Sequence, residues 1–164
     1  MINYINPKAT KAEAWMFLKY CQSMGLNPLA KDVYLVVYDQ GEERRCNFIA
    51  GKEAFAKRAE TDQNYEGCVA GIIVKRPDSS LDYREGTFMI DDEVLVGGWC
   101  EVYRKDRTHP IKAAVALKDY DTGKNVWKSK KATMIRKVAY VQSHREAFPG
   151  KLGGMYDQTE IPEA

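Results

Sequence analysis

From residue 33 to residue 117 the chain is a succession of short β-branched and aromatic runs broken by turn residues, with a helical period on either side. That order constrains the fold more than any other feature. Strands gathered in the middle of a chain, with helices at its ends, give an α+β domain rather than alternating βαβ units. Residues 33–38 and 45–50, with Asp39-Gln40-Gly41 as the turn between them, predict a hairpin. Residues 67–75, 82–90, 94–104 and 111–117 predict four further strands. Pro77-Asp78-Ser79, Asp91-Asp92 and Thr108-His109-Pro110 separate these into an antiparallel meander.

Three helices are expected around the strands. Ala14, Phe17, Leu18, Cys21 and Met24 recur at helical spacing over residues 11–24, after a capping box formed by Thr10 and Glu13. Gly25 stops this helix and Asn27-Pro28 keeps it from resuming. A short second helix opens at Gly51-Lys52 and carries Ala54, Phe55, Arg58 and Ala59 on its period. A third runs from about residue 129 to Phe148, ended by Pro149-Gly150. The 164 residues fit one domain, which is expected over residues 1–148. Residues 149–164 read as a Gly-rich, then acidic tail without an element of its own.

Charge divides the chain unevenly. Residues 99–148 carry a balance of +7, against −3 before them and −2 after, within a total of +2. A basic block of this kind is the electrostatic footprint of a polyanion-binding surface, or else a solvated face. Between Lys128 and Arg145 stand six basic residues, Lys128, Lys130, Lys131, Arg136, Lys137 and Arg145, and no acidic one. On a helical wheel Met134, Val138, Val141 and Phe148 share one side, with Ile135 at its margin. Thr133, Arg136, Lys137, Tyr140 and His144 take the other, which faces solvent or a ligand. Arg145 falls inside the apolar arc, where a guanidinium must snorkel, find a carboxylate or reach a groove. Tyr103, Arg104, Lys105 and Arg107, extended by Lys112 and Trp127, interleave cations and rings as nucleic-acid binding requires, although large aromatics such as Trp99, Tyr103 and Trp127 are more often core residues than stacking platforms.

Other chemistries find little material. The four cysteines, at 21, 46, 68 and 100, lack zinc-site spacing and read as reduced core residues; there are two histidines. Gly51-Lys52 lacks the glycine and the Ser or Thr of a phosphate-binding loop. Asp91, Asp92 and Glu93 could hold Mg²⁺ as a nuclease does, but between strands they read as a hairpin turn. No catalytic residue, metal or cofactor is therefore expected. The N-terminus has no apolar signal region, and no apolar run approaches the ~20 residues of a membrane span, so the chain is expected in the cytoplasm.

Several segments together resemble the RecT/Bet family of phage single-strand annealing proteins. Gly25-Leu26-Asn27-Pro28 followed by Lys31-Asp32-Val33-Tyr34 is similar to one family signature, and Val102-Tyr103-Arg104-Lys105-Asp106-Arg107-Thr108-His109-Pro110-Ile111 to another. Trp127, Met134-Ile135-Arg136-Lys137, Arg145-Glu146-Ala147-Phe148 and Gly154-Met155-Tyr156-Asp157 fall in the family's register, so that the resemblance runs from about residue 13 to residue 157. It implies a DNA recombination protein that anneals strands without ATP and without covalent catalysis. It also implies homo-oligomeric rings or helical filaments that hold single-stranded DNA, and the annealed duplex, in a basic groove. Lys52, Tyr103, Arg104, Lys105, Arg107, Lys112, Trp127, Lys128, Lys130, Lys131, Arg136, Lys137 and Arg145 are the expected DNA-binding residues, with Arg145 on the backbone. Where the phage lambda member carries lysines, this chain has Ala132 and Val138, with Lys131 and Lys137 beside them. The resemblance further implies a bacterial host cytoplasm, and a phage 5′–3′ exonuclease and host single-strand-binding protein as partners through a C-terminal region that this sequence does not contain. A Mg²⁺-dependent nuclease and a passive binder of single strands or double-stranded RNA are the rival readings.

Overall fold

A computed structural model describes residues 2–40 and 43–161. Gly41, in the expected hairpin turn, and residues 162–164 of the expected tail lie outside the described residues. After a four-residue helix α1 (Ile2–Ile5), helix α2 (Lys11–Met24) begins at the expected capping box. Thr10 N–H donates to Glu13 Oε2 at 2.7 Å, and Glu13 N–H to Thr10 Oγ1 at 3.2 Å. Gly25, at φ 61°, turns the chain out of the helix in the left-handed region that glycine tolerates best. Ala14, Phe17 and Cys21 are buried, and Phe48 of the following hairpin packs edge-on against Phe17, ring centroids 5.5 Å apart.

The signature after Gly25 is a connector. Asn27 accepts Leu29 N–H at 2.9 Å and so starts a single 3-10 turn (Pro28–Ala30). Asp32, nearly buried, then accepts Asn27 N–H at 3.0 Å and Lys57 Nζ at 2.6 Å. Burial pushes the Asp32 carboxyl up, but Lys57 and Asn27 outweigh it and hold it below its ordinary value. The ion pair ties helix α3 (Lys52–Ala59) to the root of hairpin β1 (Val33–Gln40) and β2 (Glu43–Ala50), which pair from Val33↔Ala50 to Gln40↔Glu43.

Strands β3 (Tyr65–Lys75), β4 (Leu81–Glu85), β5 (Val94–Arg104) and β6 (Ile111–Ala116) form a second, wholly antiparallel sheet. Its order is β4-β3-β5-β6, which corrects the expected meander: β5 crosses β4 to pair with β3. β4 also stops at Glu85 rather than continuing to residue 90. Gly86, at φ 74°, turns the chain there, and Arg84 clasps Glu93 at 2.7 and 2.5 Å across the loop.

After β6 come two short helices, α4 (Leu117–Tyr120) and α5 (Val126–Ser129), and then the long helix α6 (Lys131–Ala147). Helix α6 packs on one face of the four-stranded sheet, close enough that a Cβ on Gly98 would stand 2.4 Å from Ile135 O. Helix α3 and the C-terminal segment cover its other side. That segment, expected to lack elements, forms helix α7 (Pro149–Leu152) and a 3-10 turn (Gln158–Glu160), with Leu152 and Met155 fully buried. The expected α+β class, with its N-terminal, short middle and long basic helices, holds, with two sheets in place of one. Among the described residues no helix is long and apolar enough to cross a membrane.

Candidate nucleic-acid interface

The turn between β5 and β6 carries three consecutive exposed charges, Lys105, Asp106 and Arg107. Arg104, at the end of β5, donates to both oxygens of Asp106 at 2.8 and 2.7 Å and to Ala147 O, and lies 4.7 Å above the Phe148 ring. It fastens the turn to the end of α6. The residues it holds out, Lys105, Arg107 and His109, are exposed. Arg104, Arg107, Thr108, His109, Glu146 and Pro149 border a cleft of about 480 Å³ beside them.

At the other end of β6, Lys118, Lys124, Lys128 and Lys130 are exposed along α4, α5 and their linker. The side chains of these four lysines, and of Lys105 and Arg107, form no hydrogen bond or ion pair among the described residues. Lys131 differs, since its ammonium meets Asp121 at 2.5 Å and holds that carboxyl below its usual range. Trp127 is 5% exposed and packs with Ile72, Val74, Ile135 and Val138, a core residue at the rim of a second cleft of about 510 Å³. Asp119 and Glu160 on that rim make it a poor phosphate site.

Helix α6 departs from the expected two-faced wheel. Tyr140 and His144, placed on the open side by spacing, are buried: His144 turns onto the sheet, where it meets Tyr65 at 3.2 Å and stands within 4.8 Å of Cys68 and Cys100, and Tyr140 packs in the same core with Lys52 of α3 over its ring. The cations of α6 turn inward as ties. Arg136 donates to Ala70 O at 3.2 Å, Lys137 meets Asp157 at 3.1 Å, and Arg145 meets Glu160 at 2.8 and 2.5 Å and Met155 O at 3.1 Å. The Arg145 guanidinium also lies 4.8 Å from the Tyr156 ring centre. Its odd position on the wheel is thus filled by a carboxylate from the C-terminal segment. Lys52, on α3, stands 4.9 Å over the Tyr140 ring.

The sheet face away from α6 carries the remaining predicted residues. Lys112 lies 4.9 Å over Tyr83 and 5.4 Å over Trp99, and pairs with Glu101 at 3.0 Å. Tyr103 donates its hydroxyl to the same Glu101 at 2.7 Å, which with Lys112 holds the carboxyl low. This cluster is charge-balanced and half-exposed.

The thirteen predicted residues are therefore distributed over several surfaces. Lys105, Arg107, Lys128 and Lys130 have both exposure and uncommitted charge; Lys118 and Lys124, not singled out by motif, share those properties, and membership of the basic block was the signal for them. The acidic triplet does not converge on a cation, because Arg84 occupies both oxygens of Glu93 while Asp91 and Asp92 stand in an exposed turn.

The sequence matches the RecT family over residues 2–164. It is also similar to an uncharacterized protein of Ureaplasma parvum serovar 3, with 27% identity over 156 residues. The match covers 93% of this chain and 63% of that protein, so the chain spans less than two thirds of the relative's length.

Proposed function

We propose that this chain, which belongs to the RecT family, binds single-stranded DNA through its phosphates and anneals complementary strands in phage-type recombination without ATP or covalent catalysis. The observation that carries the reading is the position of the uncommitted cations. Lys105 and Arg107 stand at one end of β6, and Lys118, Lys124, Lys128 and Lys130 at the other. A six-residue strand separates the groups by about 20 Å, enough for one DNA strand to meet several phosphates. Annealing requires that repulsion between two polyanions be neutralised while base edges remain free to test each other. Backbone contacts by flexible lysines meet both conditions. Arg104, Lys131, Arg136, Lys137 and Arg145 then hold the surface in shape; Tyr103 and Trp127 are close in sequence to these cations, Lys112 lies on β6 between them, and Lys52 stands apart on α3.

A single domain presents few bases, so copies must act in series, as a ring or a helical filament. Annealing also consumes exposed single strands, which a 5′–3′ exonuclease produces and a host single-strand-binding protein covers in a bacterial cytoplasm; both are proposed partners.

The test is a strand-pairing time course with complementary oligonucleotides, without nucleotide, alongside imaging of the protein–DNA particles. Pairing faster than the protein-free rate, with strand lengths unchanged in Mg²⁺, is expected. Protection of single strands without faster pairing would make the chain a passive binder, and shortened strands would make it a nuclease.

A further inference from the structure

Two of the four cysteines and one of the two histidines meet in the core. Cys68 on β3 pairs with Val102, and Cys100 on β5 pairs with Ala70, so the two lie one diagonal step apart on the sheet face beneath α6. His144 comes down from α6, and the two sulfurs and one of its ring nitrogens all lie within 4.8 Å of one another. We propose that Cys68, Cys100 and His144 form a site for one zinc ion that pins α6 to the sheet.

The histidine is already arranged for this. Nδ1 is 2.8 Å from Tyr140 O, and since a carbonyl can only accept, Nδ1 carries the proton. Nε2 is left with its lone pair, which takes the Tyr65 hydroxyl at 3.2 Å. A backbone carbonyl behind one ring nitrogen, with the lone pair on the other directed at the metal, is the usual state of a zinc-ligating imidazole, and here the metal would take the place of the Tyr65 hydroxyl on Nε2. Zn–S bonds of ≈ 2.3 Å and a Zn–N bond of ≈ 2.0 Å in tetrahedral geometry place the two sulfurs about 3.8 Å apart and each about 3.5 Å from the imidazole nitrogen, so closures of roughly 1 Å complete the set. Tyr65 O or a water supplies the fourth position.

Charge also fits. Two thiolates neutralise Zn²⁺, so the occupied centre with its neutral imidazole adds no net charge to the interior. The thiol protons leave to solvent as the metal–sulfur bonds form. A disulfide is the poorer alternative, because diagonal partners across a ladder stand ≈ 7–8 Å apart, at or beyond the reach of the bond.

The experiment uses the full chain, reduced, stripped with chelator and desalted, then titrated with Zn²⁺ and separately with Co²⁺. One metal per chain, a thiolate-to-cobalt charge-transfer band and a rise of the melting temperature with Zn²⁺ are expected. Cys68→Ser, at the half-buried ligand, should melt near the metal-free parent and lose all three signals, whereas Cys46→Ser on the hairpin should keep them. Should Cys68→Ser not fold, Cys68→Ala serves the same comparison. Absence of the band in the parent, its persistence in the folded Cys68 variant, or a Cys68–Cys100 disulfide in protein purified without reductant would each overturn the site. None of these readouts involves DNA, so the proposal stands or falls separately from the annealing reading.

Discussion

Lys105 and Arg107 offer the cleanest separation of DNA binding from structural support, because neither side chain holds anything else in place. Replacing both with alanine should leave the melting temperature within about 1 °C, since exposed charges contribute little to folding. Affinity for single strands should fall, and the slope of log affinity against log salt should become shallower by about 1.4, or about 0.7 for each phosphate no longer neutralised. Arg145→Gln should do the opposite. Its guanidinium is one-fifth exposed and holds a Glu160 carboxylate that is 8% exposed, so losing it should destabilise the chain by roughly 1–3 kcal/mol with the salt slope unchanged. A shallower slope with unchanged stability would instead make Arg145 a DNA ligand. Glu13 gives a third expectation at this scale. Arg44 beside it, with Thr10 N–H, holds its carboxyl at about 2 against 4.5 unperturbed. The folded value is the lower one, so the contribution is complete above about pH 4.5 and is lost as the pH falls towards 2. In thermal melts across that range, the gap between the parent and Glu13→Gln should close on acidification.

At the scale of elements, the local signals were legible and the non-local ones were not. The capping box at Thr10, the stop at Gly25 and the full extent of β5 depend on neighbours in sequence, and the structure places all three where spacing puts them. The order β4-β3-β5-β6 depends on β5 taking the free edge of β3 rather than that of β4, and no residue of β4 announces that it will be left at the edge. Tyr140 and His144 looked exposed because a wheel sorts one helix by polarity and does not record that the sheet beneath and α3 beside it can both take up polar-tipped rings. Cys68 and Cys100, 32 residues apart, become neighbours only through register. Among the expected DNA-binding residues, the basic block was legible from charge alone, whereas which cations remain uncommitted depends on carboxylates far away in sequence, such as Asp157 and Glu160. The seam between α6 and β5 supplies a prediction here. Gly98→Ala puts a methyl group 2.4 Å from Ile135 O, a backbone atom that cannot swing aside. Urea unfolding should show a loss of roughly 1–3 kcal/mol or more, with α6 displaced from the sheet.

For the whole molecule, the arrangement of charge sets how binding responds to its medium. Most cations of α6 are neutralised inside the fold, so the polyanion should be held by the two exposed groups around β6, and affinity should fall linearly with log salt with little dependence on base sequence. Equal binding at low and high salt would remove the electrostatic account. The hairpin has a different consequence. A sheet of two strands has no interior strand, so β1 and β2 each turn a row of backbone groups outward. Near the core those rows are closed, by Asn6 Nδ2 donating to Leu35 O at 2.9 Å and by Ala50 N–H donating to Tyr156 O at 2.8 Å. Farther out the strands carry Asp39, Glu43, Arg44 and Arg45, all exposed. Charged side chains there act as gatekeepers against edge-to-edge addition of further chains, and their exchange for valine or threonine should turn a well-behaved preparation into one that forms β-rich aggregates.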